Sequence, residues 1–235
     1  MIITIDGPAG AGKSSTARAV AERQSFRYLD TGALYRAVAF TFVDSETAPT
    51  NENAQALLND YTIDLQFDDT DALHVLLNST DVSDAIRTSE VSDMASQVAA
   101  LPAVREALLP IQRQIATRWS QSTGGVVADG RDTGTVVFPH ADLKFFMDAS
   151  LEERARRLGE AYQAEQKQGT PPLEPLREAI RKLDAHDRER DLAPLRRPDD
   201  AVSIDTTSMT FEEQVEAIEG LIEQTKAGTD PSPSH

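Results

Sequence analysis

Residues 7 to 14 read Gly-Pro-Ala-Gly-Ala-Gly-Lys-Ser, directly after the apolar run "IITID" and directly before a stretch with helical spacing. This is the pattern G-x-x-x-x-G-K-[ST] in the strand-to-helix setting that gives it meaning. Glycines at 7, 10 and 12 let the backbone curl with its N–H groups inward, with Pro8, Ala9 and Ala11 completing the loop. Lys13 reaches the β and γ oxygens of a nucleotide, Ser14 is placed to ligate Mg²⁺, Ser15 follows, and the helix N-terminus adds partial positive charge. A phosphate cradle of this kind commits the chain to a parallel α/β architecture. It does not say where the phosphate goes.

Four further apolar segments end, like "IITID", at an aspartate: "FRYLD" at Asp30, "GVVAD" at Asp129, "DLKFFMD" at Asp148 and "AVSID" at Asp205. Between them lie helix-length stretches at 13–24, 32–44, 102–119, 151–168, 174–190 and 210–226. Short strands alternating with helices predict one parallel sheet, with the five aspartates on the strand ends where such sheets bind ligands. Residues 61–87 break the rhythm. "YTIDLQF", "ALHVLLN" and "TDVSDAI", separated by "DDTD" and "ST", predict three short strands of a small antiparallel insert. "QKQGTPPLEP" (166–175) reads as a loop, and "KAGTDPSPSH" at the end as a frayed tail.

The chain of 235 residues is long enough for one such core. It has no cysteine, which excludes disulfides, thiolate metal sites and a cysteine nucleophile. Its four histidines are scattered without ligand-like spacing. No apolar stretch reaches membrane-spanning length, and Asp6 interrupts the only apolar start, so a cytoplasmic protein without a membrane partner is expected. The formal charge of −16 argues against a nucleic-acid partner, whose backbone demands a basic surface. It suits a salt-rich solvent that screens self-repulsion, in which stability would rise with added KCl. Only five of the basic residues are lysines while eighteen are arginines, the type suited to bidentate contacts with phosphate.

Those arginines concentrate at the expected ligand edge. "YLDTGALYR" places Thr31 and Gly32 at a helix start and Arg36 about a turn and a half further on. "VVADGRDTGTVVFP" puts Asp129, Arg131 and Asp132 at a strand tip, where an aspartate can hold a water on Mg²⁺. "DAHDRERDLAPLR" carries Asp187, Arg188 and Arg190 on one helix, and "SLEERARRL" carries Arg154, Arg156 and Arg157. Alone, each charge run reads as a solvated helix face; together they favour a clamp for a dianion. A GTPase is excluded by the absence of N-K-x-D, and a larger ATPase module by the absence of an apolar strand ending in Asp-Glu.

Through these segments the chain resembles the bacterial cytidylate kinases, the (d)CMP kinases of the nucleoside monophosphate kinase group of P-loop proteins. The similarity runs through "ITIDGPAGAGKSS", "YLDTGALYR", "VSDAIRTSEVSDMASQVAALPAVREAL", "VVADGRDTGTVVFPHADLKFFMDAS", "DAHDRERDLAPL" and "AVSIDTT", roughly residues 2–226. It implies a P-loop kinase fold: a five-stranded parallel sheet flanked by helices, with a small antiparallel β insert and a short helical lid. The implied organisation is a single unit over 1–226, with core about 1–44 and 89–226, insert about 60–88, lid about 151–172, and a disordered tail at 227–235.

The resemblance further implies that Arg36, Arg131 and Arg190 hold the CMP phosphate, that Ser96, Arg105 and Asp132 read cytosine, and that Thr31 and Asp187 meet the pentose. Arg154 and Arg157 would approach ATP, and Lys13 and Asp129 would serve the reaction beside Mg²⁺. The partners implied are the small molecules ATP and CMP or dCMP, acted on by a monomer. One departure stands out. Relatives carry Arg-Asp where this chain has Leu183-Asp184; leucine cannot donate a hydrogen bond to the sugar, so Lys182 or His186 substitutes or the ribose is held less firmly. From the residues alone, two alternatives stay open: another small-molecule P-loop kinase acting on UMP, AMP or a shikimate-like alcohol, and a nucleotide-dependent switch without turnover.

Overall fold

The computed structural model describes residues 1–70, 72–164 and 172–228. The chain divides into two compact units, one of Met1–Leu29 with Ser120–His235 and one of Asp30–Trp119.

The first unit holds the main sheet, formed by β1 (Ile2–Asp6), β2 (Arg27–Asp30), β6 (Val126–Gly130), β7 (Leu143–Asp148) and β8 (Val202–Asp205) in the order β2-β6-β1-β7-β8. β1 runs parallel to β6 and β7, and β7 parallel to β8, in a register that sets Asp6 opposite Gly130 and Asp148 opposite Asp205. All five segments that end at an aspartate are therefore strands of one sheet. Their apolar runs are continuous rather than alternating because a parallel sheet is covered on both faces. Ile3, Ile5, Val126, Val127, Phe145 and Met147 are buried. So are Ala17 and Val20 of α1 (Lys13–Arg23) and Val215, Ile218 and Ile222 of α8 (Phe211–Lys226). Thr210 caps α8 through a reciprocal pair with Glu213. α6 (Leu151–Ala164) packs on α7 (Leu173–Glu189) through Ala155, Leu176 and Ile180.

The second unit contains α2 (Thr31–Asp44), α3 (Asn51–Asp60), α4 (Ser89–Val98), most of α5 (Pro102–Thr123) and a separate antiparallel sheet of β3 (Ile63–Phe67), β4 (Leu73–Leu77) and β5 (Thr80–Asp81). The β4–β5 hairpin turns on Asn78 and Ser79, both at positive φ, the pair of conformations a two-residue hairpin needs. The strand expected over "TDVSDAI" stops after two residues. Asp81 Oδ1 accepts from the backbone N–H and the hydroxyl of Ser83, which curls the chain out of the sheet and into a 3₁₀ turn at Ala85–Arg87.

Helices α3 and α4 were not legible as periodic segments. Each starts at a threonine whose hydroxyl accepts from the backbone three residues on, Thr50 from Asn53 and Thr88 from Val91. α3 buries only Ala54, so it leaves almost no apolar stripe to read. Part of the loop expected at 166–175 and most of the expected tail, at 165–171 and 229–235, lie outside the described residues; α7 already begins at Leu173. Among the described residues no helix is long and apolar enough to cross a membrane.

Candidate active site

The chain leaves β1 at Asp6 and has to pass under the end of β7. Gly7 makes this possible: its φ is +150°, and a Cβ there would stand 1.9 Å from the Met147 carbonyl oxygen. Beyond it three carbonyl oxygens of the loop meet side-chain donors. Pro8 O accepts from Lys13 Nζ at 2.8 Å and Ala9 O from Arg154 Nη1 at 3.2 Å. Ala11 O accepts from Thr206 Oγ1 at 3.0 Å and Arg157 Nη1 at 3.3 Å. In a trans peptide the N–H points opposite its carbonyl. The N–H groups of Gly10 and Gly12 therefore point away from the donors on Ala9 O and Ala11 O, beside the N-terminus of α1, capped by Gly12. Ser15 Oγ donates to Gly12 O at 2.9 Å, and Gln214 Oε1 accepts from Thr16 Oγ1 at 3.1 Å, fixing that first turn.

Lys13 is only 5 % exposed. Burial pushes its ammonium down to about 7 and Arg131 adds to the shift, while Asp129, Asp6 and Asp187 oppose it. Lys13 thus sits in the field of the residues at the tips of β1 and β6. An anion entering the loop supplies the negative charge that a buried ammonium lacks.

Ser14 Oγ donates to Asp129 Oδ2 at 2.6 Å, and Tyr28 OH donates to Asp129 Oδ1 at 2.8 Å. A hydroxyl and a carboxylate side by side are hard oxygen ligands of the kind Mg²⁺ takes. Among the described residues no group of three or more histidines and carboxylates could hold a metal on its own. Two protein oxygens fit an ion whose other positions go to phosphate oxygens and water, which is how Mg²⁺ is held when it keeps most of its hydration.

Asp6 is fully buried and accepts three hydrogen bonds, from Thr133 N at 2.8 Å, Thr133 Oγ1 at 2.7 Å and Gly134 N at 2.7 Å. Burial raises its carboxyl to about 6, against the pull of those donors, and Asp132 adds to the rise. The three bonds tie β1 to a single π turn at Thr133–Val137 that follows Arg131 and Asp132. Wide turns of this type concentrate at functional sites.

Of the residues expected on the acceptor side, four lie in the first unit. Arg131 Nε donates to Asp187 Oδ2 at 2.8 Å, and Arg190 Nη1 stands 3.8 Å from Asp187 Oδ1, so one buried carboxylate gathers both arginines. Arg190 Nη2 also donates to Ala193 O at 2.9 Å. Ala193 sits at φ +46°, an uncommon conformation for a residue with a side chain. Asp132 is buried beside them in the sequence. The other four lie in the second unit. Thr31 is the buried first residue of α2; Asp30 caps that helix by accepting from Ala33 N and also accepts from Arg36 Nη2 at 2.8 Å. Arg105 donates to Ala99 O at 2.9 Å with its guanidinium 5.6 Å from the centre of the Tyr35 ring, and Ser96 lies half-buried on α4.

Arg154 and Arg157 both reach the phosphate loop from α6, but the Arg154 guanidinium, expected to approach ATP, is turned inward onto Ala149 O, Ala9 O and Asp184 Oδ2. Arg157 is held by Glu153 Oε1 at 2.7 Å and by both oxygens of Thr206. Sequence reasoning passed over Tyr28, Asp184, Thr206 and Gln214, which contact this machinery only through the fold. Asp6 was visible as a rim aspartate, but its partners lie 127 and 128 residues away.

The family model for cytidylate kinases matches residues 3–224. A cytidylate kinase of Salinibacter ruber is 47% identical over 93% of this chain and 95% of its own length. One of Pseudomonas paraeruginosa is 48% identical over 92% and 93%, and one of a Geobacillus species 42% identical over 94% and 96%. With a P-loop of this sequence opening the chain's main sheet, and a match of this extent, the chain belongs to the cytidylate kinase family.

Proposed function

We propose that this phosphotransferase moves the γ-phosphoryl group of ATP to CMP or dCMP, giving ADP and CDP or dCDP, with Mg²⁺ on the donor phosphates. The observation that carries the reading is the full-length agreement with cytidylate kinases, on a chain whose loop at residues 7–14 is built to surround a phosphate.

In the reaction, the bond from the γ phosphorus to the ADP oxygen breaks as a bond to a CMP phosphate oxygen forms. A phosphate monoester has a second pKa of about 6 and is already mostly dianionic at neutral pH, so no general base is needed. The chain's work is positioning and charge stabilisation. The loop N–H groups and Lys13 hold the donor phosphates. Ser14 and Asp129 would hold Mg²⁺, which when bound neutralises charge on the β and γ oxygens. Arg36, Arg131 and Arg190 hold the acceptor phosphate, with Ser96, Arg105 and Asp132 reading the base and Thr31 and Asp187 the sugar. Arg157 lines the donor side. The same reading carries a monomer at work in the cytoplasm on small molecules.

An ADP-release assay across CMP, dCMP, UMP, AMP and shikimate tests this directly. Turnover should be fastest with CMP or dCMP, and none with either overturns the reading. The Asp132→Ala variant should lose discrimination between CMP and UMP; unchanged discrimination removes Asp132 from base readout.

A further inference from the structure

The first turn of α6 lies directly against the phosphate loop. Gly10 has φ +77°, and a Cβ on it would stand 3.0 Å from both Cβ and the carbonyl oxygen of Arg154. The Arg154 side chain then runs inward. Nε donates to Ala149 O at 3.0 Å, Nη1 donates to Ala9 O at 3.2 Å, and Nη1 lies 2.8 Å from Asp184 Oδ2. The two side chains are 7 % and 9 % exposed. Asp184 is one helical turn before Asp187 on α7, and Asp187 is the carboxylate that gathers Arg131 and Arg190. A continuous run of polar contacts and one helical turn thus leads from the loop carbonyl at Ala9 to the two arginines.

Stability alone does not call for ions at this place. Desolvation offsets most of the attraction in a buried pair, and apolar residues of similar volume often serve as well. α6 and α7 already share an apolar seam of Ala155, Leu176 and Ile180, with Leu151, Leu158 and Tyr162 packed against it. The described residues also give Asp184 Oδ1 no hydrogen bond, a cost that tighter apolar packing would avoid. What an apolar seam lacks is direction: it resists separation of the helices far better than a small slide or rotation.

We propose that the Arg154–Asp184 pair is a positioning device that fixes α7 against the phosphate loop, and through Asp187 sets where Arg131 and Arg190 stand relative to a bound donor. The inference rests on the phosphoryl-transfer reading above and goes beyond it, because both residues act through their neighbours. Arg154 works through Ala9 and Asp184, and Asp184 through the helix that carries Asp187.

The test compares full-length wild type with Arg154→Met, Asp184→Leu and the two substitutions combined, reading thermal midpoint, affinity for a non-hydrolysable ATP analogue, and kcat/KM with whichever acceptor of the panel the wild type prefers. Choosing the acceptor in this way separates failure of the CMP assignment from failure of this inference. Each single substitution strands a buried charge and should lower both the midpoint and kcat/KM. The combined variant should melt at or above the wild-type temperature, yet lose about 100-fold in kcat/KM, the scale of an ångström of misplacement. Its affinity for the ATP analogue should stay within about threefold of wild type. Asp184→Asn keeps the shape and serves if the larger changes do not fold; it too strands Arg154 and should lower the midpoint, but its smaller loss in kcat/KM should again come without weaker binding of the ATP analogue. Wild-type kcat/KM in the combined variant or in Asp184→Asn overturns the proposal. So does a loss that appears wholly as weaker binding of the ATP analogue, which makes Arg154 a direct donor contact.

Discussion

The ends of β1 and β6 and the hairpin of β3, β4 and β5 both hold a cation among carboxylates, yet they put it to different use. At the sheet, Lys13 is buried in the field of Asp6, Asp129 and Asp187, and burial overrides their attraction and drives its ammonium down to about 7. In the hairpin, His74 is about one-third exposed and lies 2.6 Å from Asp81 and 3.0 Å from Asp68. There the hydrogen bonds to Asp68 and then Asp81 raise the imidazole above its ordinary value, and burial takes back little of the gain. Similar charges in different dielectric surroundings give opposite shifts. The buried cation needs an anion from outside to be comfortable; the exposed one is already satisfied by its own turn.

The largest effect should come from removing the buried cation. Lys13→Ala is expected to lower kcat by about 10²–10³-fold, as for other preorganised charge donors, while the melting temperature holds or rises because a desolvated ammonium is gone. Steady-state kinetics beside a thermal melt check both, and near-normal turnover breaks the comparison on its functional side.

Next in size is the buried carboxylate that anchors the same corner. Asp6→Asn keeps one acceptor oxygen and puts an NH₂ donor in place of the other, against either the Gly134 N–H or the N–H and hydroxyl of Thr133. The stranded donors should cost about 1–3 kcal/mol, which for a chain of this length lowers the melting temperature by about 3–10 °C. An unchanged melt shows that the tie between β1 and the π turn carries no weight.

A subtler consequence concerns protons. Between pH 7 and 10.5 the folded protein favours neutral Lys13 while the unfolded chain keeps it charged, so this group's contribution to stability rises as pH rises through that window. Nucleotide phosphates reverse the preference. Binding of ATP at pH 8 should take up close to one proton, read by calorimetry in buffers of different ionisation enthalpy. The Lys13→Gln variant should lose that uptake, and an equal uptake in the variant assigns the proton elsewhere.

The hairpin should yield the smallest effect. With the His74 value raised, the clamp by Asp68 and Asp81 acts fully below the unfolded histidine value near 6.5 and fades as pH rises through the raised one. His74→Gln should shift the melting temperature by no more than about 2 °C at pH 6, as expected of exposed ion pairs, and by less at pH 9. A large shift at pH 9 denies that the clamp depends on protonation.

Much of the fold was legible because its signals are local. Each strand of the main sheet announces itself as a short apolar run closed by an aspartate, and "GPAGAGKS" specifies its loop within eight residues. The illegible elements fail for the same reason: α3 buries a single alanine, and β5 is ended by a side-chain bond from Asp81 that no period announces. Candidate site residues could be named one by one, but not their employment. "SLEERARRL" looks like a solvated arginine face, yet Arg154 points into the protein and Arg156 pairs with Glu153 at its surface.

Local patterns along the chain were thus enough for a phosphate loop on a parallel sheet and, through their order, for the family of the chain. Which charges are buried and whom they meet emerged only with packing: Lys13 among three aspartates, Asp6 under Thr133 and Gly134, Arg154 on Asp184. The difference is one of range. Glycine conformation and strand hydrophobicity act between neighbours along the chain, whereas desolvation and ion pairing depend on distances that exist only once segments far apart in sequence have packed together.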